Sequence, residues 1–578
     1  MPSTTLESSA GRDPNPTLRF DPPGPGPWEV ETAHFPRPIT RFAADAFMSG
    51  FPRGFAEGAA SYGLLLSHFK PALVNGFFYQ QPVAFGAPEG AMGPPPKAIL
   101  WLLTRLHPKM RARIEVCREA FASQQWRRDL ERWDTVDRPA AERAHRKFQA
   151  LEPALFSDAE LLVHLREMRE HIEAMIYLHH RYTIAACIAT GDYLAHTCEW
   201  TGCTPGEALS LLAGSSPISN GVAASELLAL GQVVQQSSAA QSVLEGEDPS
   251  RVLSDLSALP DPIGEKVQAY LEVVRYRSVG YDLCDKLCGE MPELLVRAIR
   301  AASDSQSAAQ TQLERAEKQR ALEARVPVEQ RAAFDILLSE ARWMNRLRDE
   351  RGVYSDGWGT GLARRAVLEA GRRLVERQRL ADAEHAVDVR LEELVALFDG
   401  SAFPSSAEVA ERVQWRQTKT VADVPPFLRA PPAGPPSPEL LPPAARRAAR
   451  AVDAVISNLF KESERTSSAQ VVRGSSVNTG VYEGRARLVV DASDFAKIER
   501  GDVLVTRATS PYFNVVLPLI GALVTDRGGQ LCHAAIVARE YGIPGIVGTK
   551  IATQTIADGA RVRVDGTTGE VTVLSAPS

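Results

Sequence analysis

One histidine lies in a segment whose residue types and spacing suit phosphoryl chemistry. The segment runs from Thr525 to Thr549, TDRGGQLCHAAIVAREYGIPGIVGT, and contains His533. A short apolar run before it predicts a buried strand, and Ala534 to Tyr541 predicts a helix that ends at Gly542. His533 would stand at the helix N-terminus, where the dipole and unpaired N–H groups favour an anion. The same dipole disfavours an imidazolium, so the ring would be a neutral nucleophile toward phosphorus.

The neighbours of His533 supply groups that would bind the phosphate. Paired glycines predict a turn whose backbone can approach a ligand closely. Arg527 and Arg539 are cations that would stabilise the charge on phosphorus. The residues that we expect to hold the phosphate through their backbone are Gly528, Gly529, Cys532 and Ala534. The alternative for His533 is a structural helix cap, but the flanking residues favour the chemical role.

Candidate substrate-binding residues lie far from this segment. His34 opens the proline-rigid sequence HFPRP, which suits a pocket wall and equally suits a turn that two prolines fix. Arg342, Arg346 and Arg351, with Arg348 between them, form a cluster that would bind an anionic group. Its alternative is a charged helix face that pairs with neighbouring acidic residues.

Histidine is frequent in one helical stretch, but its spacing does not predict a metal site. Glu167 and His171 are four residues apart, and no second pair completes a set of four ligands. We therefore interpret these side chains as solvated or core histidines and expect no metal. They are His164, His171, His179, His180 and His196.

Composition restricts the function classes. The 578 residues include 65 Lys plus Arg and 71 Asp plus Glu, a net charge of -6, which gives no basic surface for nucleic acid. Neither a basic-then-apolar leader nor an apolar run long enough for a membrane span is visible. Seven scattered cysteines are an odd number and predict no disulfide framework, so a reducing cytoplasm fits best.

The elements that must position these residues change along the chain. Residues 1–27 lack periodic apolar positions and predict a disordered tail, and residues 28–415 predict a long helical domain, which the resemblance described below implies is substrate-binding. Within it, residues 70–85 predict a hairpin, and Gly352 to Gly361 predicts a flexible connector. Residues 416–473 would be a proline-rich linker and a helix, a tether between domains. Residues 474–576 predict a compact α/β domain of short β-branched strands.

The segment around His533 resembles the phosphohistidine mobile domain of phosphoenolpyruvate-utilising enzymes and dikinases. The resemblance covers about a hundred residues, through the paired glycines, the run Cys532 to Ala535, and the sequences ARE and GIP that follow. In that family the histidine carries a phosphoryl group between two distant sites, and the domain swivels. Thr509 falls where the family has a threonine loop that faces the histidine.

The rest of the chain resembles the substrate part of rifampicin phosphotransferases and the large subunit of phenylphosphate synthases. Neither a phosphoenolpyruvate barrel nor an ATP-grasp domain is visible in the sequence. The resemblance then implies a dikinase-type phosphotransferase whose partner, a separate ATP-grasp protein, splits ATP with Mg²⁺ and phosphorylates His533. The acceptor would be a small molecule in the helical domain. We expect no tightly bound cofactor, no nucleic-acid partner and no membrane partner.

Two other functions remain open. In one, the phosphoryl group serves only to activate a substrate for condensation or elimination in secondary metabolism, and the product lacks phosphate. Alternatively, the chain is a non-catalytic scaffold or regulator that retains the fold. The complete motif around His533 argues against the second of these.

Overall fold

The computed structural model describes residues 19–32, 34–216, 223–303, 309–460, 463, 465–468, 470–490, 492–509, 513 and 516–577. The part before residue 461 is mainly helical, and the part after residue 470 is built around a sheet. The predicted fold class, a helical domain followed by an α/β domain, is confirmed. Most of the expected tail, residues 1–18, lies outside the described residues. No described helix is long and apolar enough to cross a membrane.

The helices of the N-terminal part begin and end with ordinary sequence signals. Thr204 and Glu207 form a capping box at α8, and Ser157 and Glu160 form another at α6. The helices are α1 (Arg41–Ser61), α2 (Lys97–Leu106), α3 (Pro108–Ala122), α4 (Gln125–Arg132), α5 (Arg138–Gln149), α6 (Asp158–Arg181), α7 (Thr183–Thr201), α8 (Pro205–Ser210), α9 (Ala224–Gln235), α10 (Ser238–Leu244), α11 (Pro249–Ser257), α12 (Ile263–Val274), α13 (Pro292–Ser303), α14 (Ala309–Glu323), α15 (Arg331–Val353), α16 (Asp356–Glu376), α17 (Leu391–Phe398), α18 (Ser406–Thr418) and α19 (Pro443–Phe460).

A small sheet holds the N-terminal segment against these helices. Its strands, in the order β1-β3-β2, are β1 (Glu29–Val30), β2 (Leu66–Val74) and β3 (Phe77–Ala84). Asn75 and Gly76 join β2 to β3 with φ angles of 53° and 84°, the left-handed values of a two-residue hairpin turn. The predicted hairpin is confirmed. Pairing of β1 with β3 fixes the chain just before His34.

Close helix contacts form the core of the helical domain. Glycines at every fourth residue let α1 lie directly on α6, since a Cβ at Gly54 would stand 2.3 Å from the carbonyl oxygen of Tyr177. Buried residues of α1, α6 and α16 share one apolar cluster, and residues of α7, α15 and α19 share others. Such contacts fix the relative positions of side chains from distant parts of the sequence.

The prediction of a flexible connector from Gly352 to Gly361 is wrong. Helix α15 continues to Val353, and α16 begins at Asp356, so the break is short and most of the segment is a buried helix. Its glycines are there for packing: a Cβ at Gly361 would stand 1.9 Å from the carbonyl oxygen of Tyr276. Small residues at a helix contact and small residues in a flexible loop look alike in sequence.

The proline-rich stretch lies along the helical domain. The backbone N–H of Val30 donates to the carbonyl of Pro426, and that of Leu428 donates to Trp28, so the stretch pairs with the β1 region. Val424 and Leu428 are buried there. Helix α19 then packs on α7 and α3. The chain crosses to the C-terminal domain between α19 and residue 471, after the proline-rich stretch.

The C-terminal domain is a mixed sheet with helices beside it. Its strands, in the order β4-β11-β10-β6-β7-β8-β9-β5, have β6, β7, β8 and β9 parallel in the middle. The predicted strands and the helix after His533 are confirmed. The elements are β4 (Val471–Arg473), β5 (Ser475–Asn478), β6 (Val481–Val489), β7 (Val503–Thr506), β8 (Ala522–Thr525), α20 (His533–Tyr541), β9 (Gly545–Val547), α21 (Ala552–Thr555), β10 (Arg561–Asp565) and β11 (Glu570–Ser575).

Candidate functional site

His533 is the first residue of α20, at the edge where parallel strands end. Strand β8 ends at Thr525, and a turn through Gly528, with φ of 103°, leads to Cys532, the N-cap of α20. Thr509 follows the neighbouring parallel strand β7. The carboxyl ends of adjacent parallel strands lie together, and ligands of open α/β sheets bind at this edge. The sequence motif therefore places His533 at a binding edge.

A hydroxyl group contacts the His533 imidazole, and burial sets its protonation state. Its Nδ1 lies 2.9 Å from Oγ1 of Thr509. Burial lowers the pKa of His533 to about 4; the carboxylate of Asp349 acts against this decrease, and Arg348 adds to it. The ring is therefore neutral at physiological pH, as a nucleophile requires. Both charged residues belong to α15 of the helical domain, so His533 faces that domain.

The C-terminal domain is docked on the helical domain around α20. Arg348 donates from Nη1 to the carbonyl of Leu531 at 3.0 Å. The backbone N–H of Gly214 donates to both carboxylate oxygens of Glu540, at 2.9 and 2.8 Å. Leu531 is buried in an apolar cluster with Leu209 and other residues of the helical domain. Polar and apolar contacts together hold α20 against the helical domain.

Side chains from five segments of the helical domain lie together near His533, and we call this cluster the recess. We define the recess by His34, His179, Tyr281, Arg351 and Asp356. The ring of Tyr281 meets the ring of His34 edge-on, with centroids 4.9 Å apart. Asp349 acts on the pKa of Tyr281, which burial raises, and also on that of His533. Asp349 therefore lies near both the recess and the His533 ring.

His34 is held by a carboxylate within the recess. Its Nδ1 lies 3.0 Å from Oε1 of Glu31, and Oε2 of the same carboxylate accepts the backbone N–H groups of His34 and Phe35 at 2.9 and 3.1 Å. Burial alone would lower the pKa of His34, but the charge and hydrogen bond of Glu31 reverse this effect and raise it. The side chain is 49% exposed. The exposed part of the ring is therefore accessible to a ligand.

Arg351 provides a buried cation in the recess. Its Nη1 donates to the carbonyl of His179 and to Oγ1 of Thr183, at 3.2 and 3.0 Å. Its Nε is buried and has no hydrogen-bond partner among the described residues. Burial lowers the pKa of Arg351, but a guanidinium stays protonated in proteins. A buried donor without a partner costs free energy unless a ligand accepts it, so Arg351 suits an anionic group.

A second histidine–carboxylate pair lies in the wall of the recess. Nδ1 of His179 is 2.8 Å from Oδ1 of Asp356. Burial, with the positive charge of Arg351, lowers the pKa of His179 well below its usual value, and burial raises that of Asp356 to about 6. The adjacent His180 is also held neutral by burial, and its ring meets Phe51 edge-on at 4.6 Å. Aromatic faces and neutral imidazoles thus form most of this wall.

Several expected phosphate-binding groups hold the protein itself in this arrangement. Arg539 donates from Nη1 to the carbonyl of Gln530 at 2.6 Å, and the N–H of Gly529 donates to Leu459 of α19 at 3.0 Å. A Cβ at Gly528 would stand 2.6 Å from the sulfur of Cys532, so only glycine fits this turn. Arg527 is exposed beside the turn. Ala534 is buried in the first turn of α20.

Two of the four expected substrate-binding residues, His34 and Arg351, come together in the recess. Arg342 instead donates to the carbonyl of Leu211 at 2.8 Å and to Gln319 at 2.7 Å. Arg346 pairs with Glu350 and Asp134 outside the recess. Arg346 and Arg351 lie on different faces of α15, because five positions along a helix of 3.6 residues per turn correspond to a rotation of about 140°.

Sequence reasoning missed Glu31, Tyr281, Asp349 and Asp356. Glu31 alone carried a local signal, because it lies three residues before His34 and a carboxylate often orients an imidazole. The other three come from separate segments and acquire their role by packing. Within the described residues, no group of three or more His, Cys, Asp or Glu side chains is arranged to hold a metal ion.

Comparisons with known proteins match both sides of this site. The PEP-utilising enzyme mobile domain matches residues 498–569, and the rifampicin phosphotransferase fourth domain matches residues 179–349, from His179 to Asp349. The two matches meet where His533 faces α15.

Curated relatives agree with these matches over part of their length. An uncharacterized phosphotransferase, YvkC, of Bacillus subtilis (strain 168) is 31% identical over 232 residues, 40% of this chain and 26% of the relative. Rifampicin phosphotransferase of Streptomyces sviceus is 46% identical over 102 residues, 18% of this chain and 12% of the relative. Phosphoenolpyruvate synthase of Pyrococcus furiosus is 44% identical over 112 residues, 19% and 14% respectively. The chain thus matches about a quarter of the first relative and less of the others, and its residues 498–569 are similar to the mobile domain of PEP-utilising enzymes.

Proposed function

We propose that the chain is a dikinase-type phosphotransferase in which His533 carries a phosphoryl group to a small-molecule acceptor in the recess. One observation carries the proposal: Asp349 lies near both the neutral His533 ring, at a helix N-terminus, and the recess with its cation and carboxylate-held imidazole. The family match at residues 498–569 and the relatives named as phosphotransferases support the same reaction class.

In the first half-reaction, Nε2 of His533 attacks the phosphorus of the donor. A bond forms between nitrogen and phosphorus, and the bond between phosphorus and the leaving oxygen breaks. Nδ1 of His533 keeps its proton, and this N–H group donates a hydrogen bond to Oγ1 of Thr509, which is 2.9 Å away. The positive end of α20 favours the incoming anion. The low pKa of His533 means that no proton has to leave the ring before the attack.

In the second half-reaction, a hydroxyl of the acceptor attacks the phosphorus. The new bond joins oxygen to phosphorus, and the electron pair of the broken N–P bond returns to Nε2 of His533. We assign the proton of the hydroxyl to Nε2 of His34, because Glu31 engages the opposite nitrogen and raises the basicity of the ring. The unpartnered Nε of Arg351 would bind an oxygen of the transferred group.

His179 is less suited than His34 to take this proton. Only 14% of its side chain is exposed, against 49% for His34, and its pKa lies well below the usual value because of burial. A base must touch the acceptor and bind the proton. We therefore expect His179 and Asp356 to form part of the wall of the recess and not to accept the proton. The aromatic side chains there suit an acceptor that joins a hydroxyl group to an apolar or aromatic body.

The phosphoryl donor in this proposal is ATP, which a partner protein with an ATP-grasp domain would split using Mg²⁺. In the docked arrangement His533 faces the recess, so loading needs α20 to leave α15. Movement about the crossing between α19 and β4 would provide this, at the microsecond-to-second rates of domain motions. The proline-rich stretch, which pairs with the β1 region, would stay with the helical domain.

The test uses radiolabelled ATP and an extract of the source cells, which supplies the partner and the acceptor. The purified chain should acquire phosphate at His533, as mass spectrometry under alkaline conditions would show, and should lose it to a small molecule after the ATP is removed. His533→Ala should take up no label, whereas His68→Ala, which alters a half-buried ring on β2, should behave as wild type. Label on another residue of the His533→Ala protein, with transfer intact, would refute the proposal. A product that lacks phosphate would indicate substrate activation instead.

A further inference from the structure

Two cysteines lie together where the helical domain contacts α20, at a position that the proposed reaction does not use. Cys198 is half-buried in the last turn of α7, Cys203 is buried just before α8, and their sulfur atoms are 3.6 Å apart. Gly202 between them ends α7 with φ of 63°, and a Cβ there would meet no atom within 4 Å. The turn is therefore open at Gly202, and the half-buried Cys198 is the more accessible thiol of the pair.

The segment after Cys203 contacts the helix that carries His533. Thr204 caps α8, and a Cβ at Gly206 would stand 3.0 Å from Oε1 of Gln530 in the turn before His533. Further along, the N–H of Gly214 donates to Glu540 of α20. A methyl group at Gly206 would fit only tightly against Gln530, so α8 lies close to the turn before His533.

We propose that Cys198 and Cys203 form a reversible disulfide by exchange with a low-molecular-weight disulfide, and that this disulfide loosens the docking of α20. One cysteine thiolate attacks a sulfur of the small disulfide and releases one thiol. The second cysteine attacks the mixed disulfide and releases the other thiol. The two cysteines lose two protons and two electrons, and the small disulfide is reduced to two thiols.

The geometry explains why oxidation would affect docking. A disulfide bond is about 2.0 Å long, so the two sulfurs must approach by about 1.5 Å. Cys203 directly precedes the N-cap of α8, so we expect the start of α8 to take up part of this movement. Such a shift would disturb the fit of Gly206 against Gln530 and the hydrogen bonds between Gly214 and Glu540. The hydrogen bond with Cys198 also lowers the pKa of Cys203 to about 7, which supports exchange at physiological pH because the thiolate is the reactive form.

The test equilibrates the full chain in buffers with different ratios of reduced to oxidised glutathione. Free thiols are then alkylated, and the peptides are mapped by mass spectrometry. The expected result is a reversible disulfide between Cys198 and Cys203, absent in Cys203→Ser and Cys203→Ala and retained in the control Cys187→Ser. Absence of this disulfide in the most oxidising buffer, or pairing of either cysteine with a different one, would overturn the proposal.

Hydrogen exchange then tests the effect on docking. In the oxidised protein we expect amides of α20 and of Gly214 to exchange about tenfold faster, and amides of β10 and β11 to keep their rates. The Cys203→Ser protein in the same oxidising buffer should exchange as reduced wild type, and it also reports whether the variant is folded. A disulfide that leaves exchange in α20 unchanged would show that the pair does not control docking.

Discussion

His533 and His34 are imidazoles on opposite sides of one recess, and their Nδ1 partners differ. His533 has the hydroxyl of Thr509 at 2.9 Å, and burial lowers its pKa to about 4. His34 has the carboxylate of Glu31 at 3.0 Å, and its pKa is raised although burial opposes the increase. A neutral partner leaves a ring that attacks phosphorus without first losing a proton. A charged partner makes a ring that takes up a proton.

The comparison predicts that removal of the basic ring blocks only the second half-reaction. In His34→Gln we expect transfer from His533 to the acceptor to slow by about a hundredfold, the usual size of a general-base effect. Labelling of His533 by ATP and the extract should continue, so phosphoprotein accumulates. Quantitative alkaline mass spectrometry after a chase with unlabelled ATP measures both quantities. His68→Gln serves as the matched control, and a normal chase in His34→Gln would exclude His34 as the base.

Loss of the carboxylate partner should have a smaller effect than loss of the ring. Glu31→Gln keeps the size of the side chain but removes the charge that raises the pKa of His34, and we expect transfer to slow by about tenfold. The pH at which transfer is half-maximal should also fall. Glu89→Gln, which removes an exposed pair with Lys70 at 3.0 Å, is the matched control. An unchanged pH profile in Glu31→Gln would contradict the assignment of Glu31.

The two histidines should respond to pH in different ranges. The raised pKa of His34 means that its basic form predominates above that pKa, so transfer should decrease by about tenfold per pH unit below it. His533 stays neutral until the pH approaches about 4. Phosphoprotein prepared at one pH and chased at several others isolates the second step, and denatured phosphoprotein corrects for chemical hydrolysis. Transfer that stays constant from about pH 8 to about pH 5 would refute the role of His34.

The smallest effect is expected at the partner of His533. Thr509→Val removes the hydroxyl that orients the ring but leaves burial in place, so labelling should slow by about threefold to tenfold. Thr509→Ser retains the hydroxyl and should restore most of the rate. The initial rate of label uptake at His533 measures the difference. If Thr509→Ser is as slow as Thr509→Val, loop packing rather than the hydrogen bond matters at this position.

The sequence by itself determined the C-terminal site. A strand, a glycine turn, a histidine and a helix that ends at Gly542 are consecutive, so local hydrogen bonding and turn geometry suffice to place His533 at the edge of the sheet. The hairpin through Asn75 and Gly76 was predictable for the same reason, since two residues that tolerate positive φ define its turn.

Only the tertiary structure decided the composition of the recess. Tyr281, Arg351 and Asp356 come from three segments, and α15 separates Arg351 from Arg346 by directing them toward different neighbours. The glycines from Gly352 to Gly361 suggested a loop. Most of them lie in the first turns of α16, and Gly361 allows close packing against Tyr276. Sequence periodicity indicates which face of a helix is apolar. It does not indicate which other helix packs against that face, because this depends on contacts between residues hundreds of positions apart. The raised pKa of His34 and the lowered pKa of His533 both depend on that packing, because burial and facing charges come from other elements.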